Sequence, residues 1–194
     1  MRVHGQSYRT IFVADGAGTV AVIDQTRLPF EFELVSLRTM QDAAVAIRDM
    51  IVRGAPLIGV TAAYGVALAM RADASDASLQ QAVATLGGTR PTAVNLHWAL
   101  ERMRATLALM TPADRVECAY AEAAAIAEED VDACRRIGQH GLEVLRAIAS
   151  GKGGTEPVRV LTHCNAGWLA CVDWGTALAP IYAAHEAGLP VHVY

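Results

Sequence analysis

The sequence predicts a mixed fold. A mainly helical domain with a small antiparallel sheet is expected over residues 1–150, followed over residues 151–194 by the first βαβ unit of a doubly wound α/β domain. Three observations predict it. β-rich runs crowd the stretch before Thr39. Alanine, the strongest helix former, occurs 37 times and is concentrated after that stretch. A Gly-rich polar segment, Gly151 to Pro157, then separates the helical patterns from a strand–helix–strand pattern.

Residues 9–14 (RTIFVA) and 19–24 (TVAVID) flank Gly16-Ala17-Gly18 and read as a hairpin. Phe30 to Leu37 alternates Phe30, Phe32 and Leu34 against Glu31 and Glu33, which adds a third strand and a sheet with one wet face. The Gly16-x-Gly18-x-x-Ala21 spacing is no dinucleotide fingerprint, because it lies between two strands instead of opening a helix. Thr39 caps a helix expected to reach about Val52. Pro56 suits the first turn of a second helix through Met70, apolar nearly all round and therefore buried. A short helix over Gln80 to Leu86 is ended by Gly87-Gly88-Thr89-Arg90-Pro91. Thr92 to Leu109 is amphipathic, with Val94, Leu96, Trp98, Leu100 and Met103 available for packing. Thr111-Pro112-Ala113-Asp114 is a helix start, and the pattern runs on to about Ala149 with room for a bend. Past the boundary, Val158 to Thr162 reads as a buried strand and Trp168 to Ala187 as a helix. Gly188-Leu189-Pro190 stops it, and Val191 to Tyr194 opens a second strand. Two strands and one helix cannot cover both faces of a parallel sheet, so a partner or further chain is expected to complete this unit.

The 194 residues are 53% hydrophobic, enough to bury a sizeable core. Against 20 acidic residues stand 16 basic ones, of which only Lys152 is lysine, for a net charge of -4. No cluster of five basic residues occurs, which argues against a nucleic-acid partner. The N-terminus MRVHGQSYRT has no apolar signal-peptide core, and the longest uncharged run, Gly54 to Met70, is broken by Gly, Pro, Thr and Tyr. That run falls short of the ~20 apolar residues a membrane span needs. With four cysteines and no secretory signal, the expectation is a reduced, cytoplasmic, soluble protein.

The strongest chemical feature is Leu161-Thr162-His163-Cys164-Asn165-Ala166-Gly167, at the C-terminal end of the first parallel strand, where open α/β sheets bind ligands. A thiol there, ahead of a helix N-terminus, is open to activation, although a lone cysteine is more often structural. Cys171 reads as packing, and Cys118 and Cys134 as structural. Arg53-Gly54-Ala55-Pro56 places an arginine and small residues at a helix start, a combination that suits phosphate, and Gly88-Thr89-Arg90-Pro91-Thr92 repeats it. An ordinary interhelical loop with a solvated arginine fits either segment as well. No CxxC or HxxxH spacing supports a metal. Glu128-Glu129-Asp130 reads as an exposed helical run, with a buried carboxylate left open. Gly151-Lys152-Gly153-Gly154-Thr155 lacks the spacing of a phosphate-binding Walker loop.

Taken together, RGAPLIGVTAAYG (53–65), GGTRPTAVNLHWAL (87–100), EEDVDACRRIGQHG (128–141) and LTHCNAGWLACVDWGTALAPIY (161–182) resemble the methylthioribose-1-phosphate isomerases, with Asp24-Gln25-Thr26-Arg27-Leu28-Pro29 in the same pattern. The resemblance covers the whole chain but only about the first half of a family member. It implies an aldose–ketose isomerase of methionine salvage that uses no metal or organic cofactor. A helical domain would lead into a Rossmann-like domain, truncated here, with a homodimer in the full-length form. It also implies substrate contacts at Arg53, Gly54, Ala55 and Arg90 and an active-site thiol at Cys164.

The chemistry is consistent with these roles. A sugar phosphorylated on its anomeric oxygen needs an acid at the ring oxygen before it can open, and hydrogen must then move between C2 and C1. The family's acid, an Asp, matches no position here, neither Asp24 nor Asp130 nor Asp173. The chain by itself is therefore expected to be inactive. Two alternatives stand beside this resemblance: a non-catalytic regulatory relative of the translation-initiation factor 2B subunits, and a ribose-1,5-bisphosphate isomerase.

Overall fold

The computed structural model describes residues 1–151 and 156–194. The expected linker, Gly151 to Pro157, thus lies partly outside the described residues, Lys152 included. A two-residue hairpin comes first, β1 (Arg2–Val3) against β2 (Gln6–Ser7), turning through His4 and Gly5 at positive φ. The expected antiparallel sheet follows, with β3 (Ile11–Val13), β4 (Val20–Ile23) and β5 (Leu34–Leu37) in the order β3-β4-β5. Ile11 faces Val22, and Val22 faces Val35. The sheet differs from expectation in two ways. All four residues of β4 are buried, so the central strand has no wet face. The third strand starts at Leu34, because the Arg27 carbonyl accepts from the N–H groups of both Phe30 and Glu31 and curls the chain there, leaving Phe30 93% exposed.

Helix α1 (Met40–Arg48) starts on a reciprocal cap: Thr39 Oγ1 accepts from the Asp42 N–H while the Asp42 carboxylate accepts from the Thr39 N–H. It stops short of Val52, where Met50 turns to φ +61°. Helix α2 (Ala55–Ala72) is buried from Leu57 through Met70, as its unbroken apolar character demands. It is long and apolar enough to cross a membrane, but α1, α3 (Asp76–Gly87), α4 (Val94–Leu107) and α5 (Pro112–Gly151) pack around it, so it is the core helix. Helix α3 is longer than expected because Ser75 caps it, its hydroxyl accepting from the Ser78 N–H. On α4, Leu96, Leu100 and Met103 are buried, whereas Val94 and Trp98 face outward. Helix α5 runs unbroken for 40 residues. Near its start the buried Arg115 donates to Leu107 O, Ala74 O and Asp76, tying three helices together.

Beyond the undescribed residues, β6 (Val158–Val160) pairs parallel with β7 (Val191–Val193), and α6 (Ala179–Glu186) joins them, which gives the expected βαβ unit. Helix α6 lies on α5 where glycines permit close approach: a Cβ at Gly141 would fall 2.3 Å from Pro180 Cγ.

The helix expected over Trp168 to Ala187 is largely absent. Only a 3₁₀ turn forms at Trp168–Ala170, and α6 begins at Ala179. The intervening residues make bonds that a helix would break. The Thr10 N–H donates to Val172 O (3.0 Å), the Thr10 hydroxyl to Cys171 O (2.6 Å), and the Val172 N–H to Asp130 Oδ2 (2.8 Å). Trp174 and Gly175 then take positive φ, and Gly175 bridges to Gly167. These distant partners outweigh local helix propensity.

Among the described residues the buried apolar side chains form one large cluster around α2 and two small ones. The first small cluster joins Leu145 and Ala149 of α5 to Val158 and Ala184, and the second joins Cys134 to Ala170 and Cys171.

Candidate active-site groove

Three connections meet at one open groove of about 700 Å³. The β4–β5 connection supplies Gln25, Leu28 and Pro29, the last two joined by a cis peptide bond. The α1–α2 connection supplies Arg53, and the loop after β6 supplies His163, Cys164, Asn165 and Leu169.

The fit of the second wall to the third rests on Gly54. It is the N-terminal cap of α2, with φ +106° and ψ 135°, and a Cβ built on it would lie 2.3 Å from Ala170 Cα. Only glycine allows both that backbone and that approach. The cap makes no side-chain hydrogen bond and Pro56 has no N–H, so beside Arg53 it is the Gly54 and Ala55 N–H groups that have no partner among the described residues. Arg53 is exposed and forms no ion pair among the described residues. Ala55 is the first residue of α2.

Cys164 is a free, exposed thiol at φ +72°, a left-handed backbone that a non-glycine residue adopts at a cost. It stands on an irregular loop and not at a helix N-terminus, since α6 starts at Ala179. Activation by a helix end is therefore corrected: the positive groups beside the groove belong to Arg53 and the start of α2.

Arg90 is half-buried in the α3–α4 connection and does not line the groove. That connection leads into α4, whose first turn touches α2 so closely that a Cβ at Gly59 would lie 2.8 Å from Asn95 O. Arg53 and Cys164 are thus brought together, while Arg90 stands apart.

Two features are given no role by the sequence, although it leaves open a buried carboxylate in the run Glu128-Glu129-Asp130. Gln25, 9% exposed, is wedged between walls: its backbone N–H donates to Ile51 O (3.0 Å) and its Nε2 to Leu169 O (2.6 Å). The sequence signals are its place in the Asp24-Gln25-Thr26-Arg27-Leu28-Pro29 block and a second polar residue after the apolar strand β4, neither of which gives it a role. The second feature lies beneath the loop. The run Glu128-Glu129-Asp130 splits, with Glu128 pairing with Arg9, Glu129 with Arg102, and Asp130 turning inward. Asp130, Cys134 and Cys171 bring a carboxylate oxygen and two sulfurs within 4.8 Å of one another, and Cys134 Sγ is 3.9 Å from Asp130 Oδ1. By donor type these residues could hold a soft metal ion. As they stand they form a hydrogen-bonded knot. Burial raises the Asp130 pKa, and the Cys134 contact followed by burial drives the Cys171 thiol far up, so that sulfur keeps its proton. One Asp130 oxygen already accepts from the Val172 N–H. Cys118 packs against the main core, as expected.

The groove thus lies at the carboxyl end of a parallel strand, with a thiol on one wall and an arginine at a helix start on the other, the position at which open α/β sheets receive small ligands. The chain belongs to the initiation factor 2 subunit family, which it matches over residues 51–194. Over its whole length it is 66% identical to a methylthioribose-1-phosphate isomerase of Methylorubrum populi and 58% identical to one of Escherichia coli, covering 53% and 52% of those proteins. The chain spans about half the length of the curated relatives it matches. Among solved structures it resembles 5-methylthioribose 1-phosphate isomerase from Pyrococcus horikoshii (TM-score 0.83, 34% identity, 97% of this chain and 52% of that one). It also resembles the translation initiation factor eIF-2B, subunit delta, from A. fulgidus (TM-score 0.80, 39% identity, 96% and 54%).

Proposed function

We propose that the groove binds 5-methylthioribose 1-phosphate and that this chain contributes the phosphate-binding and thiol portion of a methylthioribose-1-phosphate isomerase site. The observation that carries the reading is that Arg53 and Cys164, far apart in sequence, line one groove. The similarity to isomerases along the entire chain supports it.

In this reading the Arg53 guanidinium and the free N–H groups around Gly54 and Ala55 hold the phosphate, and Arg90 assists from the neighbouring connection. An acid opens the ring at its oxygen. C2 is then oxidised to a ketone while C1, still bearing the phosphate, is reduced to a methylene. Cys164 faces the reacting carbons and stabilises the hydrogen transfer or takes part in it. The groove wall carries no carboxylate among the described residues, so this chain alone is proposed to lack turnover. The same reading takes residues 1–150 as a helical domain and 151–194 as the start of a Rossmann-like one, in a cytoplasmic homodimer.

Titration calorimetry of the 194-residue chain with 5-methylthioribose 1-phosphate tests the binding. Arg53→Ala should weaken it by about tenfold or more, the scale of a lost charge-assisted phosphate contact. Equal binding by both proteins would overturn the assignment. An assay for methylthioribulose 1-phosphate should find no turnover by the chain alone, and robust turnover would refute that part. The likeness to the eIF-2B delta structure favours a second reading, a non-catalytic sugar-phosphate sensor. Under it, Cys164→Ser would leave sugar-phosphate binding by the assembled protein intact, and no turnover would be there to lose.

A further inference from the structure

We infer that Gln25 is a ligand-contacting residue whose side-chain carbonyl accepts a hydrogen bond from a ribose hydroxyl in the groove; the inference rests on the sugar-phosphate reading given above. The orientation of the amide is fixed by its surroundings. Leu169 O, 2.6 Å away, can only accept, so the atom facing it must be the NH₂ group. The backbone of Gln25 is held in turn by Ile51 O, two residues before Arg53. With Nε2 pinned, the planar amide has its Oε1 pinned as well.

That oxygen accepts no hydrogen bond from the described residues, yet it is not sealed away: the one buried side-chain polar atom without a partner among them is Trp168 Nε1. Gln25 is 9% exposed and lines the groove beside Arg53 and Cys164. Its free acceptor is therefore accessible, on a residue that lines the space a bound sugar would fill. The chemistry is complementary. Arg53 and the start of α2 offer only donors, which suit phosphate, whereas the sugar's hydroxyls need acceptors. Anchoring by two backbone carbonyls, one on each neighbouring connection, places that acceptor before the ligand arrives. Such preorganisation favours affinity and orientation.

The test uses the 194-residue chain, ribose 1-phosphate, and its 2-deoxy and 3-deoxy forms. In the wild-type chain, removing one of these hydroxyls should weaken binding by about tenfold, the scale of one hydrogen bond to an acceptor that the bound sugar shields from water. In Gln25→Met the same removal should cost less than about twofold, because no acceptor remains. A merely structural role for Gln25 would lower affinity for all three ligands alike and keep the deoxy penalty, which would overturn the inference. Equal binding of all three ligands by the wild-type chain would overturn it without any variant, and so stands even where Gln25→Met does not fold. Failure of the wild-type chain to bind ribose 1-phosphate and 5-methylthioribose 1-phosphate would instead overturn the sugar-phosphate reading itself, and this inference with it.

Discussion

Gly54 and Ala170 meet backbone to backbone, so closely that a methyl group on Gly54 would fall 2.3 Å from Ala170 Cα and 2.7 Å from Ala170 O. This contact sets the distance between the Arg53 wall and the Cys164 wall of the groove. Gly54→Ala would combine a clash with an unfavourable φ of +106°. The expected loss is about 2–4 kcal/mol, from overpacking plus backbone strain. Urea unfolding reads that loss, and sugar-phosphate binding should fall with it.

Cys164 separates chemistry from stability. Its thiol is exposed and its φ of +72° is one that glycine adopts freely. Cys164→Gly should therefore stabilise the fold by about 1 kcal/mol. Cys164→Ser should leave the denaturation midpoint nearly unchanged. Calorimetric melting of the three proteins checks the order, glycine above cysteine and serine; a clear loss of stability in the glycine variant would contradict it.

Thr10 carries part of the scaffold under the groove. Its hydroxyl donates to Cys171 O at 2.6 Å inside a fully buried site. Thr10→Val keeps the shape but leaves that carbonyl one donor short. A cost of about 1–3 kcal/mol is expected in urea unfolding. A neutral result would mean that the Thr10 N–H bond to Val172 O suffices to hold the segment.

Asp130 makes the stability depend on pH. Burial, opposed by the Val172 N–H, raises its pKa in the folded protein. The folded state then binds a proton more tightly than the unfolded chain, so stability falls as pH rises from the unfolded pKa through the raised folded one. Asp130→Asn keeps an acceptor for the Val172 N–H and removes the charge. Its stability relative to the wild type should increase from acid pH toward neutral and then level off. Urea midpoints of both proteins across that range provide the check, and a constant difference would remove Asp130 as the cause.

The parts of this fold legible in sequence are those whose signals are local. The uniform apolar run of α2, the Thr39 cap of α1 with Asp42 three residues on, and the Thr111-Pro112 start of α5 each describe their own surroundings. The segment after Gly167 departs from its local helical pattern because its partners are distant: Thr10 lies at the other end of the chain and Asp130 in the middle of α5. Helical propensity is weak beside three long-range hydrogen bonds and a pair of glycines in contact. The groove divides in the same way. The chemical types of Arg53 and Cys164 marked them as candidates. Gln25 carries no such mark, since its position derives from Ile51 and Leu169, which no spacing rule relates to it.

Among the described residues α5 alone reaches all three apolar clusters, through Ala119 to Ile126 in the first, Cys134 in the next and Leu145 and Ala149 in the last. At 1.5 Å per residue it is a rod of about 60 Å. A single beam serving three supports couples their fates. A proline placed between Cys134 and Leu145 is expected not merely to loosen one turn but to give two calorimetric transitions, the parallel strands separating from the helices while the larger core holds.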